Sequence, residues 1–345
     1  MKPRRLRIVC LALTLLALSA CASPAALGGA ELGRRLLIEA VGIDLSEDGV
    51  LLTVLAPDLT TQENDSQTPS VSLLRFTGAS LSEAVEAAKR ETGLLPFFGY
   101  ARFLILGKTA AQSGLPRALS FFIENRSIRN DSPVCVAEKD AADTLGAPFV
   151  AAQTAARTAE GVLTEHGNAV MPFYRFITLL LTPGANAWCP VLSLKRQGSG
   201  VLPSAEKTAV FGDKGRVFTV EEEASAFLRL LDGAMQEASF TFAGSGEALR
   251  LRQIKRKITA EKDGMRFTVT AGLRLPEASG TLAPRARRAR TESAAAFLSA
   301  KAAAVLDMLY RKYGTDPLRL CRRISPQADV RPEELSFTVR FVLKD

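Results

Sequence analysis

The chain has 345 residues, 47% of them hydrophobic and 23% charged, which excludes a mostly disordered, collagen-like or disulfide-scaffold protein and leaves room for two or three domains. Forty-four Lys and Arg against 36 Asp and Glu give +8, a balance that raises nucleic acid as a partner. The single histidine excludes a multi-histidine metal centre and leaves any imidazole acid–base chemistry to His166.

Residues 1–21 read MKPRRLRIVCLALTLLALSAC. Lys2, Arg4, Arg5 and Arg7 precede an uncharged, leucine-rich run from Ile8 to Leu18 that is too short to stay in a bilayer as a spanning helix, so residues 1–20 read as a signal peptide. Leu18-Ser19-Ala20-Cys21 resembles a bacterial lipobox, with the Cys21 thiol as the attachment point for a diacylglyceryl group. Two long acyl chains anchor a protein stably, because each buried methylene contributes about 0.8 kcal/mol. Residues 21–35, rich in Ala, Gly, Ser and Pro, read as a flexible tether. No later stretch is apolar for long enough to promise a second anchor. Loss of residues 1–20 removes four basic side chains and no acidic one, so the processed chain carries 40 against 36, or +4. Of the cysteines outside this segment and Cys21, Cys135, Cys189 and Cys321 allow one disulfide with a leftover thiol or three buried free thiols.

Downstream, residues 36–56 read as a hairpin turning at Asp48-Gly49, and Val71 to Phe76 as a third strand. Ser80-x-x-Glu83 fits a capping box opening a helix with Leu81, Ala84, Val85 and Ala88 on one face. A strand follows at 102–106, a helix over 109–125, a strand at 134–136 and a short helix from Ala141 to Leu145. This β-β-β-α-β-α-β order predicts a mixed α/β unit with a partly antiparallel sheet, set at 36–197. Residues 146–200 give no clear pattern, and Gly198-Ser199-Gly200 reads as a domain boundary. The second domain, 201–345, optionally with a subdomain at 201–245, contains a hairpin around Gly212-Asp213-Lys214-Gly215 and an amphipathic helix from Glu221 to Leu231. Strands at 249–259 and 265–275 flank Asp263-Gly264, a long helix spans 291–313, and a final alternating strand runs from Leu335 to Leu343. The fold class expected is α+β, multi-domain, with largely antiparallel sheets flanked by helices.

Catalytic motifs are missing from the sequence. His166 lies between glycines with only Glu165 beside it, there is no G-x-S-x-G elbow, and Gly198-Ser199-Gly200 and Gly244-Ser245-Gly246 are too short for a phosphate loop. Glu221-Glu222-Glu223 reads as a solvated helix start. The salient polar feature is basic: residues 250–290 hold twelve basic and three acidic side chains, an excess of +9 that leaves the rest of the processed chain mildly acidic. Its densest run, Arg285, Arg287, Arg288 and Arg290, reads as an exposed loop that faces a membrane or a partner, since an exported chain seldom meets nucleic acid.

The lipobox is followed by Val41-Gly42-Ile43-Asp44, Gly78-Ala79-Ser80-Leu81-Ser82-Glu83-Ala84, and Leu95 to Gly107 with the core Pro96-Phe97-Phe98-Gly99-Tyr100-Ala101-Arg102. Gly114 to Phe122, Ser127-Ile128-Arg129-Asn130 and Thr208 to Gly215 follow in turn. This order resembles the Ger(x)C family, the lipoprotein C subunit of bacterial spore nutrient-germinant receptors. Tyr100 stands where that family often has histidine, and Tyr313 to Leu318 matches its Asp-containing segment only loosely. The resemblance implies a subunit without catalysis or cofactor, on the outer face of the spore inner membrane, beside a polytopic A subunit and an integral-membrane B subunit. The alternatives are an exported ligand-binding lipoprotein of the cell envelope unrelated to germination and, more remotely, an envelope hydrolase.

Overall fold

The computed structural model describes residues 34–57, 71–113, 115–149, 155–164, 170–233, 235–242, 247–261, 264–274, 283–324 and 330–344. Cys21, the signal segment, His166 and Gly244-Ser245-Gly246 lie outside these residues.

Short β1 (Arg35–Leu37) pairs in parallel with β5 (Leu95–Phe97). Strands β2 (Ala40–Ser46) and β3 (Gly49–Pro57) form the expected hairpin, with Ser46 opposite Gly49, and β4 (Val71–Gly78) adds to β3 antiparallel. Helix α1 (Leu81–Thr92) opens as the capping box requires: Ser80 Oγ accepts the Glu83 N–H at 3.2 Å. The Glu83 carboxylate reaches back one residue further than the usual box, to the Ala79 N–H at 2.7 Å. After β6 (Leu104–Leu106), the single helix expected over 109–125 is two, α2 (Lys108–Ser113) and α3 (Leu115–Asn125). Pro116 explains the break, because it has no N–H to donate and its ring would clash with the carbonyl of Gln112, whereas the first turn of a new helix tolerates it. Strand β7 (Val134–Ala137) and α4 (Ala141–Leu145) follow, and the unread stretch then supplies α5 (Ala155–Thr164), α6 (Phe173–Leu181) and β8 (Trp188–Gln197).

The boundary expected at 197/201 falls on a turn within the first sheet. Gly198 (φ 60°) and Ser199 turn a hairpin from β8 into β9 (Gly200–Phe211), and β10 (Val217–Val220) pairs with β9. The first sheet therefore continues to Val220, in the order β10-β9-β8-β7-β6-β2-β3-β4, with its three central pairings parallel and the outer ones antiparallel. Alternate residues of its strands feed two cores: Val41, Ile43, Leu104 and Leu106 face one side, and Ala40, Phe103, Ile105 and Cys135 face the other, under α4 and α5.

Helix α7 (Glu222–Asp232) leads to a second sheet, β11 (Ala238–Thr241), β12 (Ala248–Glu261), β13 (Gly264–Arg274) and β14 (Ser336–Lys344), paired in that order. β14 lies parallel to β13, so the long helix α8 (Pro284–Asp307) is a crossover connection. It continues as one π turn, Met308–Lys312, and is followed by short α9 (Leu320–Ile324). By length and composition the α8 segment could cross a membrane. Its inner residues Ala294, Leu298, Ala302, Val305 and Leu306 are instead buried in the core shared with the second sheet.

Two buried carboxylates fix the loops. Asp44, at the end of β2, accepts the N–H groups of Ala141 and Ala142 at 2.8 and 2.9 Å and thereby caps α4 from a different strand. Burial raises its carboxyl above the ordinary value, partly offset by those two donors. Any Cβ on Gly107 would run into the Asp44 carboxylate, and one on Gly42 would sit 2.9 Å from Leu145, so both glycines are needed for close approach. Asp316 is fully buried and accepts from the Tyr310 hydroxyl, from the Leu320 N–H at 2.7 Å and from the Cys321 N–H at 2.9 Å. Its own N–H donates to Asn186 Oδ1 at 2.6 Å, while Asn186 donates its side-chain N–H to the Phe211 carbonyl at 2.8 Å. This network ties the end of α8 to the segment that enters β8. A second tie crosses nearby, where Arg175 of α6 places one guanidinium nitrogen between the two carboxylate oxygens of Asp232 of α7, at 2.7 and 2.6 Å. Burial and the adjacent Asp316 push the Tyr310 hydroxyl well above its usual range.

Cys135, Cys189 and Cys321 are all free and buried, which settles the cysteine alternatives in favour of three thiols. Burial raises each of them, Cys321 to about 12. A thiol reagent at neutral pH should therefore leave all three unlabelled in the native protein and modify them on denaturation; rapid native labelling of any one would contradict their burial. Asp316→Ala leaves a hydroxyl and two N–H groups without their acceptor, and should lower the stability read by urea denaturation by about 3 kcal/mol or more. A loss under about 1 kcal/mol would mean that solvent or another acceptor serves those donors.

Candidate functional site

The basic run expected as a loop is helical. Arg285, Arg287, Arg288 and Arg290 occupy the first two turns of α8, which begins at Pro284 and not near 291. Proline suits the first turn, and the Ala and Arg that follow are strong helix formers with no apolar periodicity to betray them. Cations at a helix N-terminus oppose the macrodipole. Neighbouring carboxylates offset this: Arg290 pairs with Glu247, and Arg288 pairs with Glu292 one turn on at 3.2 Å. Arg285 is exposed in the first turn. The other described basic residues of 250–290 belong to β12 and β13, which a count along the chain pools with the helix start.

Glu221, Glu222 and Glu223 open α7 where the dipole favours acids. Glu221 lies 3.5 Å from Lys207 and Glu223 lies 3.0 Å from Lys301, so two of the three are held in ion pairs. Among the described residues no group of three or more His, Cys, Asp or Glu is placed to hold a metal ion.

A cleft of about 370 Å³ opens between β9, α7 and the β11–β12 edge. Its charged lining is mixed, with Glu206, Glu222 and Glu237 against Arg229, Arg250 and Arg252, over a floor that includes Met235 and Leu251. Arg229 is buried and donates to the carbonyls of Ala205 and Lys207 at 2.7 and 2.8 Å and to Thr208 Oγ1 at 3.1 Å. Burial pulls its guanidinium down to about 10, still charged at neutral pH. Its role is to clamp β9 onto α7. The lining sets carboxylates and guanidinium groups side by side over a partly apolar floor, a surface suited to binding or packing.

The sequence comparisons point the same way as the architecture. Residues 29–194 match the family model described as the spore germination protein N-terminal domain. No curated protein matches the chain significantly. Among solved structures, the crystal structure of the GerBC protein superposes with a TM-score of 0.53, covering 89% of this chain and 97% of that one at 14% identity, a likeness that carries the fold. The chain thus carries a spore germination protein N-terminal domain over residues 29–194, within a fold that it shares with GerBC along nearly its whole length.

Proposed function

We propose that the chain is the C subunit of a spore nutrient-germinant receptor, without catalysis of its own. Acylated at Cys21, it is held on the outer face of the spore inner membrane and assembles there with the polytopic A and integral-membrane B subunits. The observation that carries this reading is the germination-protein domain match starting at residue 29, eight residues after the lipobox cysteine, in a chain with the GerBC architecture. In physical terms, diacylation restrains the folded part to within a tether length of the bilayer, so partner binding becomes a local encounter at high effective concentration. The arginines at the start of α8, Arg285 above all, are one surface offered to the membrane or to a partner.

Cys21→Ala should move the protein from the membrane to the soluble fraction on cell fractionation, and retention in the membrane would remove the lipobox argument. Affinity purification of the chain from detergent-solubilised spore membranes should bring down two integral-membrane proteins in fixed ratio. Purification of the chain alone, together with tight binding of a nutrient by the isolated chain, would favour the alternative of a free-standing ligand-binding lipoprotein.

A further inference from the structure

The second sheet has one covered face and one open face. α7 and α8 share a core with the first through Leu249, Leu251, Phe267, Val269 and Phe341. Directly paired residues on neighbouring strands share a face. The register therefore puts Arg250 opposite Arg274, Lys255 opposite Thr270, and Lys257 opposite Thr268 on the other side. On the next strand Arg340 stands opposite Thr268 and Lys344 opposite Gly272. The bulge between Arg252 and Lys255, with Gln253 at φ 51°, inserts one residue into β12. It keeps Arg252 and Lys255 on one face; without it Lys255 and Lys257 would turn into the core.

All these basic side chains are exposed. Acidic company is sparse: Glu261 pairs with Arg266 at 2.6 Å at one end, and Glu237 comes within 4.0 Å of Arg252 at the rim of the cleft. Among the described residues no ion pair engages Lys255, Lys257, Arg274, Arg340 or Lys344. Between them lie short hydroxyls, Thr259, Thr268, Thr270 and Thr338, and no aromatic side chain. Like charges directly opposite each other, as at Arg250 and Arg274, disfavour the fold on their own account.

Protein partners are gripped by buried aromatic or aliphatic anchors in pockets, whereas among the described residues of this face Val342, opposite Thr270, is the one large apolar side chain. A broad basic face dotted with hydroxyl donors, about 15 Å across its four strands, matches a layer of phosphate groups better than it matches a protein side chain. We propose that the open face of the β11–β14 sheet docks on anionic phospholipid headgroups. Docking lays the second half of the chain against the bilayer. The proposal rests on the chain facing a membrane but not on acylation of Cys21, and its test leaves the acyl chain out.

The test uses the chain from residue 21 with Cys21→Ser, sedimented with vesicles of mixed phosphatidylglycerol and phosphatidylcholine or of phosphatidylcholine alone. Binding is expected only to the anionic vesicles and should fade as salt rises. Combined Lys255→Glu, Lys257→Glu and Arg340→Glu should weaken it about a hundredfold or more with an unchanged thermal melt. Lys89→Glu, Arg90→Glu and Lys139→Glu, the same charge change at exposed sites elsewhere, should leave it nearly intact. Equal binding to both vesicle types, equal loss in both triple variants, or capture on poly-glutamate without vesicle binding would each overturn the proposal.

Discussion

A carboxylate with no access to water must be met by donors from the protein, and Asp316 is met by donors on both sides of it, four to six residues away. Tyr310 arrives from the end of α8, the Leu320 and Cys321 amides arrive from the start of α9, and the backbone of Asp316 is itself held by Asn186. Because Asn186 also holds the Phe211 carbonyl, the position of α8 is referred to β9 in the first sheet. α8 in turn covers the inner face of the second sheet, where Ser299 Oγ accepts the Phe341 N–H at 3.0 Å. The salt bridge of Arg175 with Asp232 adds a second tie between the helices that lie beside this junction. The relation of one sheet to the other thus depends on a few polar contacts that tolerate little displacement, set into a continuous apolar core.

What the sequence could disclose follows the range of the interactions. The β2–β3 and β12–β13 hairpins were legible because their turns and alternation are local, and α1 because Ser80 and Glu83 cap it within one turn. Asn186 and Asp316 are 130 residues apart, and nothing in either neighbourhood announces the other. The break expected at Gly198-Ser199-Gly200 coincides with a hairpin of the first sheet for a related reason. Glycine and serine mark a turn, but whether the chain then returns to the same sheet depends on pairing partners that composition does not reveal. The start of α8 was missed because an arginine–alanine run has helix propensity without an apolar stripe. The basic sheet face was hidden by a bulge that breaks the alternation and by Arg340 and Lys344, which lie far along the chain from β12.

The same geometry gives each half of the chain a distinct character. The first half presents a mixed sheet with helices over both faces and a core on each side. The second half leaves a sheet face uncovered and basic, so the positive charge that first raised nucleic acid is resolved into a surface with a direction. With the proposed tether at Cys21, a directed charge would set orientation as well as affinity, because a single flexible attachment leaves the folded part free to rotate.

With the Asn186–Asp316 junction joining them, the two sheets should unfold as one body. Scanning calorimetry of the whole chain tests this most directly. A single transition is expected, with equal calorimetric and van't Hoff enthalpies, and it should separate into two when Asn186→Ala removes the link. Two independent transitions in the unsubstituted chain would contradict it.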